Sequence, residues 1–179
     1  MIIDAHTHKY REYPDNSEVL QVVNIQSRAE FESLKNKHNV ILSYGLHPWL
    51  IDDHNIDWSL LHDVSIVGEI GIDKAINTPI DKQIAIFEEQ LQYAKESNKD
   101  VIVHCVRAYN EVQQSLKKIN FPNRVLFHAY RSTLEMAQQL MRCCDAYFSF
   151  GSRELSFPKC QYVKENLPQE RVFWETDNE

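Results

Sequence analysis

The chain has 179 residues, 43% hydrophobic and 25% charged, with a formal net charge of -7. That is enough apolar material for a real core and too little length to favour several, so one domain over residues 1–179 is expected. The acidic balance argues against broad, nonspecific adhesion to nucleic acid, which relies on Lys and Arg neutralising phosphates, but it does not exclude a chain end held at a metal site. No run approaches the roughly 20 apolar residues of a membrane span, and the opening MIIDAHTH lacks the basic and apolar segments of a secretory signal. Four cysteines without a C-x-x-C spacing read as reduced thiols. A cytoplasmic location without a membrane partner is the expectation.

Short apolar runs recur along the chain at 1–4, 19–25, 39–45, 64–71, 100–104, 124–128, 146–150 and 171–175. Segments of helical periodicity lie between them at 27–38, 81–97, 108–119, 132–143, with Ser132 as the expected N-cap, and 159–167. The clearest is DKQIAIFEEQLQYAKES, where Ile84, Phe87, Leu91 and Ala94 fall three and four apart on one face. Strands alternating with helices predict a parallel sheet, and eight such units predict a (β/α)8 barrel of TIM type. About 250 residues is usual for that fold. The deficit has two places. Only KYREYPDNS, with Pro14 in its middle, separates the first two runs, so the first helix is absent or a single turn, and no residues follow the eighth run to make a last helix. The runner-up is an open doubly wound sheet, but four glycines, none in G-x-G-x-x-G, give it no phosphate loop.

Several runs end on a side chain able to bind a metal: His6 and His8 in the first, Glu69 in the fourth, His104 in the fifth, His128 in the sixth and Asp177 after the eighth. In a parallel barrel those ends meet at one mouth. Neutral imidazoles suit zinc and other first-row ions, and a carboxylate can bridge two ions. Two ions can clamp the attacking and leaving oxygens of a displacement and activate water, which is hydrolytic chemistry. Strict alternation along the first strand places Asp4, His6 and His8 inside and Ile3, Ala5 and Thr7 outside. On the last strand Glu175 and Asp177 lie inside and Trp174 outside. A bare flank carrying Ile3 and Trp174 would then be covered either by a further helix or by a second copy in a homodimer. Asp4, Asp73 and Glu175 are candidates to hold neighbouring groups in place.

Taken in order, D-A-H-T-H, G-L-H-P, G-E-I-G-I-D, Gln83-x3-Phe87-x2-Gln90-Leu91-x2-Ala94, I-V-H-C, L-F-H-A and W-E-T-D resemble the TatD family of metal-dependent hydrolases. The resemblance runs from Asp4 to Asp177 and implies one or two divalent ions (Zn, Mn, Mg or Ni). It puts His6 and His8 on one ion, His104 and His128 on the other, Glu69 bridging as a catalytic ligand, and Asp177 beside the attacking water. It also implies deoxyribonuclease or related phosphodiesterase activity on DNA or another phosphodiester, with aminoacyl-tRNA deacylation a further activity of relatives. The chain departs from the family after the fifth- and sixth-strand histidines, where Cys105-Val106-Arg107 and Ala129-Tyr130-Arg131-Ser132 stand. Arg107, Arg131 and Arg153 follow strands, as binders of phosphate oxygens or as solvated loop charges. His47 either lines the substrate pocket or belongs to the Pro48-Trp49 turn. An amide or ester hydrolase on the same metals, or a catalytically degraded metal-binding protein, are the alternative functions.

Overall fold

In the computed structural model, which describes residues 1–14 and 17–178, eight parallel strands close into a barrel in sequence order. They are β1 Ile2–Thr7, β2 Val19–Asn24, β3 Val40–Tyr44, β4 Ile66–Asp73, β5 Asp100–Val106, β6 Arg124–Phe127, β7 Asp145–Phe150 and β8 Val172–Trp174. The helices are α1 Arg28–Leu34, α2 Trp58–Asp63, α3 Ile80–Glu96, α4 Tyr109–Ile119, α5 Leu134–Cys143, α6 Ser152–Leu155 and α7 Pro158–Asn166. Among the described residues no helix stands between β1 and β2, as the short Pro14-containing link foretold. None of the helices is long and apolar enough to cross a membrane.

The short apolar runs located every strand, and helical periodicity missed α2 and α6, which are only six and four residues long. Too few turns are present there for a stripe to show. The cap of α5 is Thr133, not Ser132: the Thr133 side chain accepts from the Met136 backbone N–H, one residue later than the sequence suggested.

Two side-chain layers surround the sheet. Outward-facing residues, such as Leu42, Val67, Val103, Phe127 and Phe148, form the main apolar core with Phe87, Leu91, Val112 and Leu140 of the helices. Inside the barrel, the half opposite the mouth holds an apolar cavity of about 290 Å³ to which all eight strands contribute, among them Ile3, Ala5, Leu20, Val22, Ile41 and Phe173.

That cavity overturns the simple alternation along β1. Ile3 and Ala5 face the interior. Between Asp4 and Thr7, β1 uses three residues where β2 uses two, because Asp4 pairs with Gln21 and Thr7 with Val23. This bulge shifts the phase, so Ala5 and His6 both serve the interior while Asp4 faces the other way, its carboxylate accepting from the Thr176 backbone N–H (2.9 Å) and hydroxyl (2.7 Å). Asp4 therefore does not share the face of His6 and His8. Ile2, not Ile3, accompanies Trp174 on the exposed flank.

β4 repeats the device. Val67 pairs with Val101 and Ile70 with Val103, so one extra residue stands in β4. Val67, Ile70 and Ile72 all remain in the outer core, and Glu69 turns inward. Next to it, a Cβ on Gly71, whose φ is +153°, would collide with the carbonyl oxygen of His104. Glycine there lets β4 and β5 approach where both deliver site residues.

Candidate metal centre

Glu69 is the hub. One of its carboxylate oxygens, Oε2, lies 3.3 Å from His6 Nε2 and 3.2 Å from His8 Nε2. Asp177 Oδ1 lies 3.8 and 3.6 Å from the same two nitrogens. The other oxygen, Oε1, lies 2.8 Å from His104 Nδ1 and 2.6 Å from His128 Nε2, which are 3.4 Å apart. All six strand-end residues named from the sequence thus converge, in two subsets divided between the two oxygens of one carboxylate.

The residues fit metal ions. Metal bonds of about 2.0–2.3 Å in tetrahedral array put neighbouring ligand atoms about 3.3–3.8 Å apart, close to the spacing around Glu69 Oε2. His6 is fully buried, yet neither ring nitrogen has a hydrogen-bond partner. Two unpartnered nitrogens on a buried imidazole are costly unless something else engages them. Three overlapping groups able to hold a cation occur here: His6, Glu69 and His128; His6, His8 and Asp177; His47, Glu69 and His104.

Backbone geometry delivers these side chains. Beyond β8 the chain stays in register with β1: Asp177 N–H donates to the His6 carbonyl and His8 N–H to the Asp177 carbonyl, each at 2.9 Å. Asp177 adopts φ +50°, a left-handed conformation that Asp tolerates better than most residues. Ala129, just after His128, has φ +45°, and its N–H is held by Glu175 Oε1 at 2.8 Å. Ser149 Oγ donates to the other oxygen of Glu175 at 2.6 Å. Glu175 is thus a buried clamp on the turn that aims His128, and burial pushes its carboxyl well above the usual range.

Electrostatics follow from the crowding. Burial works against a charged Glu69, but His128, His104 and His47 overcome it and hold its pKa well below the usual carboxylate value. Burial also opposes a charged His104, yet hydrogen bonds from its ring to Asp73 and Glu69 carry its pKa up to about 9. At His8 the bond to Glu69 likewise outweighs burial and raises the pKa. Burial dominates at His47 and His128 and lowers both.

His47 reaches the centre as well. Its Nδ1 accepts from the Trp49 backbone N–H at 3.1 Å, which leaves the ring proton on Nε2, 3.1 Å from Glu69 Oε1. In that tautomer His47 donates to the Glu69 carboxylate while its other nitrogen caps the Pro48–Trp49 turn, so the turn reading holds and the ring also reaches the cluster. Asp73 Oδ2 accepts from His104 Nε2 at 3.0 Å, fixing that ring from behind.

The arginines divide. Arg131 is committed to the buried Glu154, Nε donating to Oε1 at 2.8 Å, and Glu154 Oε2 also accepts from the Gly151 N–H. Arg107, at φ +55° after β5, and Arg153 in α6 are exposed. His38, His54 and His62 are exposed and take no part.

Gln83 and Gln90 belong to the helix pattern of the sequence, which assigns them no role. Both are buried on α3. Gln83 brackets Asp73, accepting from its N–H at 2.7 Å and donating to its C=O at 3.0 Å. Gln90 brackets Leu46, just before His47, in the same way at 2.7 and 3.2 Å. The signal was available: two glutamines seven apart on the apolar face of a helix are amides that require partners.

A closed parallel barrel with a histidine and carboxylate cluster at the strand ends defines a class of metal-centred barrel proteins. The sequence profile of the TatD related DNase family matches residues 3–178, and the chain belongs to that family. Metal-dependent hydrolase YjjV of Escherichia coli is 26% identical over 157 residues, covering 80% of this chain and 60% of YjjV. The human 3'-5' RNA nuclease TATDN2 is 25% identical over 160 residues, covering 82% of this chain and 21% of the human protein. Metal-dependent hydrolase YabD of Bacillus subtilis is 26% identical over 207 residues, 99% of this chain and 80% of YabD. The chain therefore spans three fifths of YjjV and about one fifth of TATDN2. In fold it matches the crystal structure of YjjV with a TM-score of 0.81 at 23% identity, covering 98% of this chain and 78% of that one.

Proposed function

We propose that the chain is a metal-dependent hydrolase that cleaves phosphodiester bonds at the ends of DNA or RNA. The observation that carries this reading is the division of the Glu69 carboxylate, one oxygen toward His6, His8 and Asp177 and the other toward His104 and His128. His6, His8 and Asp177 would hold one divalent ion (Zn, Mn, Mg or Ni), His104 and His128 a second, with Glu69 shared. Such ions, when bound, activate water and offset charge on a phosphodiester.

The chain's own groups supply the rest. Asp177 is the most open of the six, its side chain 32% exposed, and in this reading it takes the proton of the attacking water. Glu69 is held ionised by its imidazoles and keeps them fixed around it. His47 steadies Glu69 from the β3 side. Arg107 and Arg153, exposed and without an assigned buried partner role like that of Arg131, bind phosphate oxygens at the mouth. The family's description as DNases and the name of the human relative support a nucleic-acid substrate. Four free thiols suit a reducing, cytoplasmic setting.

A metal-supplemented screen of single-stranded DNA, single-stranded RNA, a chromogenic phosphodiester and aminoacyl esters tests the proposal. Hydrolysis of the phosphodiesters is expected. Turnover of the aminoacyl esters alone would replace the nuclease reading with that of a carbonyl-ester hydrolase.

A further inference from the structure

Trp49 is 62% exposed, an unusual state for the largest apolar side chain, yet it is not a loose surface residue. It lies in the one-turn helix Pro48–Leu50 that follows β3, on the rim of the metal centre. Its indole N–H donates to Asp73 Oδ2 at 2.7 Å. The same oxygen accepts from His104 Nε2 at 3.0 Å, while Asp73 Oδ1 accepts from the Ala75 N–H at 2.7 Å. Asp73 is itself buried, so the exposed ring is tied to an immobile anchor. Its backbone N–H is fixed too, by His47. The ring centroid lies 5.0 Å from His47 and 5.9 Å from His104, at interplanar angles of 83° and 76°. Neither imidazole stacks parallel to it.

A rigid, exposed indole beside a phosphodiester centre has a ready use. A nucleotide whose phosphate sits on the cluster carries its base outward to the rim, and any base can stack on an indole because every base has a π face. We infer that Trp49 is the stacking platform for the nucleobase next to the scissile phosphodiester, a subsite for a flat aromatic ring built into the rim of the metal centre. The inference rests on the nuclease reading and adds to it a preference for base-bearing over abasic ends, without preference among bases, since stacking reads no hydrogen-bond pattern.

The test compares wild type with Trp49→Ala on two short oligonucleotides, one with a normal terminal nucleotide and one with an abasic terminal residue. Calorimetric titration of both proteins with deoxyadenosine monophosphate and with deoxyribose 5-phosphate accompanies it. Trp49→Ala should raise KM for the normal end, and Kd for the nucleotide, by about tenfold more than it raises the corresponding values for the abasic end and the sugar phosphate, whatever common loss follows from removing the indole bond to Asp73. Equal losses on both ends would show that Trp49 only steadies Asp73 and His104, and would overturn the inference. So would a wild-type protein indifferent to the base. If no phosphodiester is cleaved, the nuclease reading fails, and the calorimetry still decides whether Trp49 takes a flat aromatic ring: equal affinity for nucleotide and sugar phosphate would refute it.

Discussion

Within the cluster, the proposed tasks of holding an ion and of handling a proton should weigh differently on different residues, Asp177 contributing less to the first than the imidazoles do, and substitutions should separate them. Asp177 is the partly exposed member, and its oxygen lies farther from the two nearest imidazoles than either oxygen of Glu69 lies from its own. Asp177→Asn keeps a side-chain oxygen and a residue that tolerates positive φ, so metal content should stay near that of the wild type while turnover falls on the order of 100-fold or more. His128→Ala removes a nitrogen 2.6 Å from Glu69 and should lose bound metal along with activity. Metal analysis and rates on the same samples check both. Asp73 touches the centre only through His104, so Asp73→Asn should weaken metal affinity by about 10- to 100-fold, the usual cost of losing an orienting partner. Competition with a chromogenic chelator measures it, and unchanged affinity would mean that His104 needs no support from behind.

Among the elements, α3 controls more of the site than its position on the barrel's outside suggests. Its two buried glutamines hold the backbone at Leu46 and Asp73, the approaches to His47 and to the Asp73 carboxylate. Gln83→Leu leaves the buried Asp73 N–H without its acceptor, which should cost about 1–3 kcal/mol and lower the melting temperature by on the order of 5 °C. Thermal melts of the two proteins, each loaded with the same metal, give the answer. The strands were legible as short apolar runs and the longer helices because a period of 3.6 leaves a long enough trace, and the six candidate site residues because each stands at or just after the end of an apolar run. Besides the short helices, two kinds of side-chain placement were not legible. The bulges in β1 and β4 shift the facing of side chains without altering composition, and in β1 strict alternation therefore puts Asp4 on the wrong face and Ile3 outside. The commitment of Arg131 to Glu154 depends on a contact between the loop that follows β6 and α6, and nothing local in either segment announces it.

For the whole molecule, a crowded set of imidazoles and carboxylates links stability to pH, and the direction can be worked out for the metal-free protein. His104 and His8 have pKa values raised by their carboxylate neighbours, so their contribution is complete below the unfolded value near 6.5 and is lost as pH rises, for His104 through about 9. For His104 alone the swing is on the order of 3 kcal/mol. His47 and His128 have lowered values, so their contribution is complete above about 6.5 and declines as pH falls. Glu69, held low, adds to the loss on the acid side, beginning below about 4.5. Glu175, kept protonated by burial, acts in the same sense as His104 and His8, so the metal-free protein should lose stability as pH rises above about 6.5. Divalent ions compete with protons for the same nitrogens, so the stabilisation they confer should grow from pH 6 to pH 9 as the histidines give up protons. Paired thermal melts across that range, one series with excess chelator and one with saturating zinc or manganese, should show the chelated protein losing melting temperature above pH 7 while the gap to the loaded protein widens. A gap that stays constant with pH would mean that protons and ions do not compete at these nitrogens, and that the ions bind elsewhere.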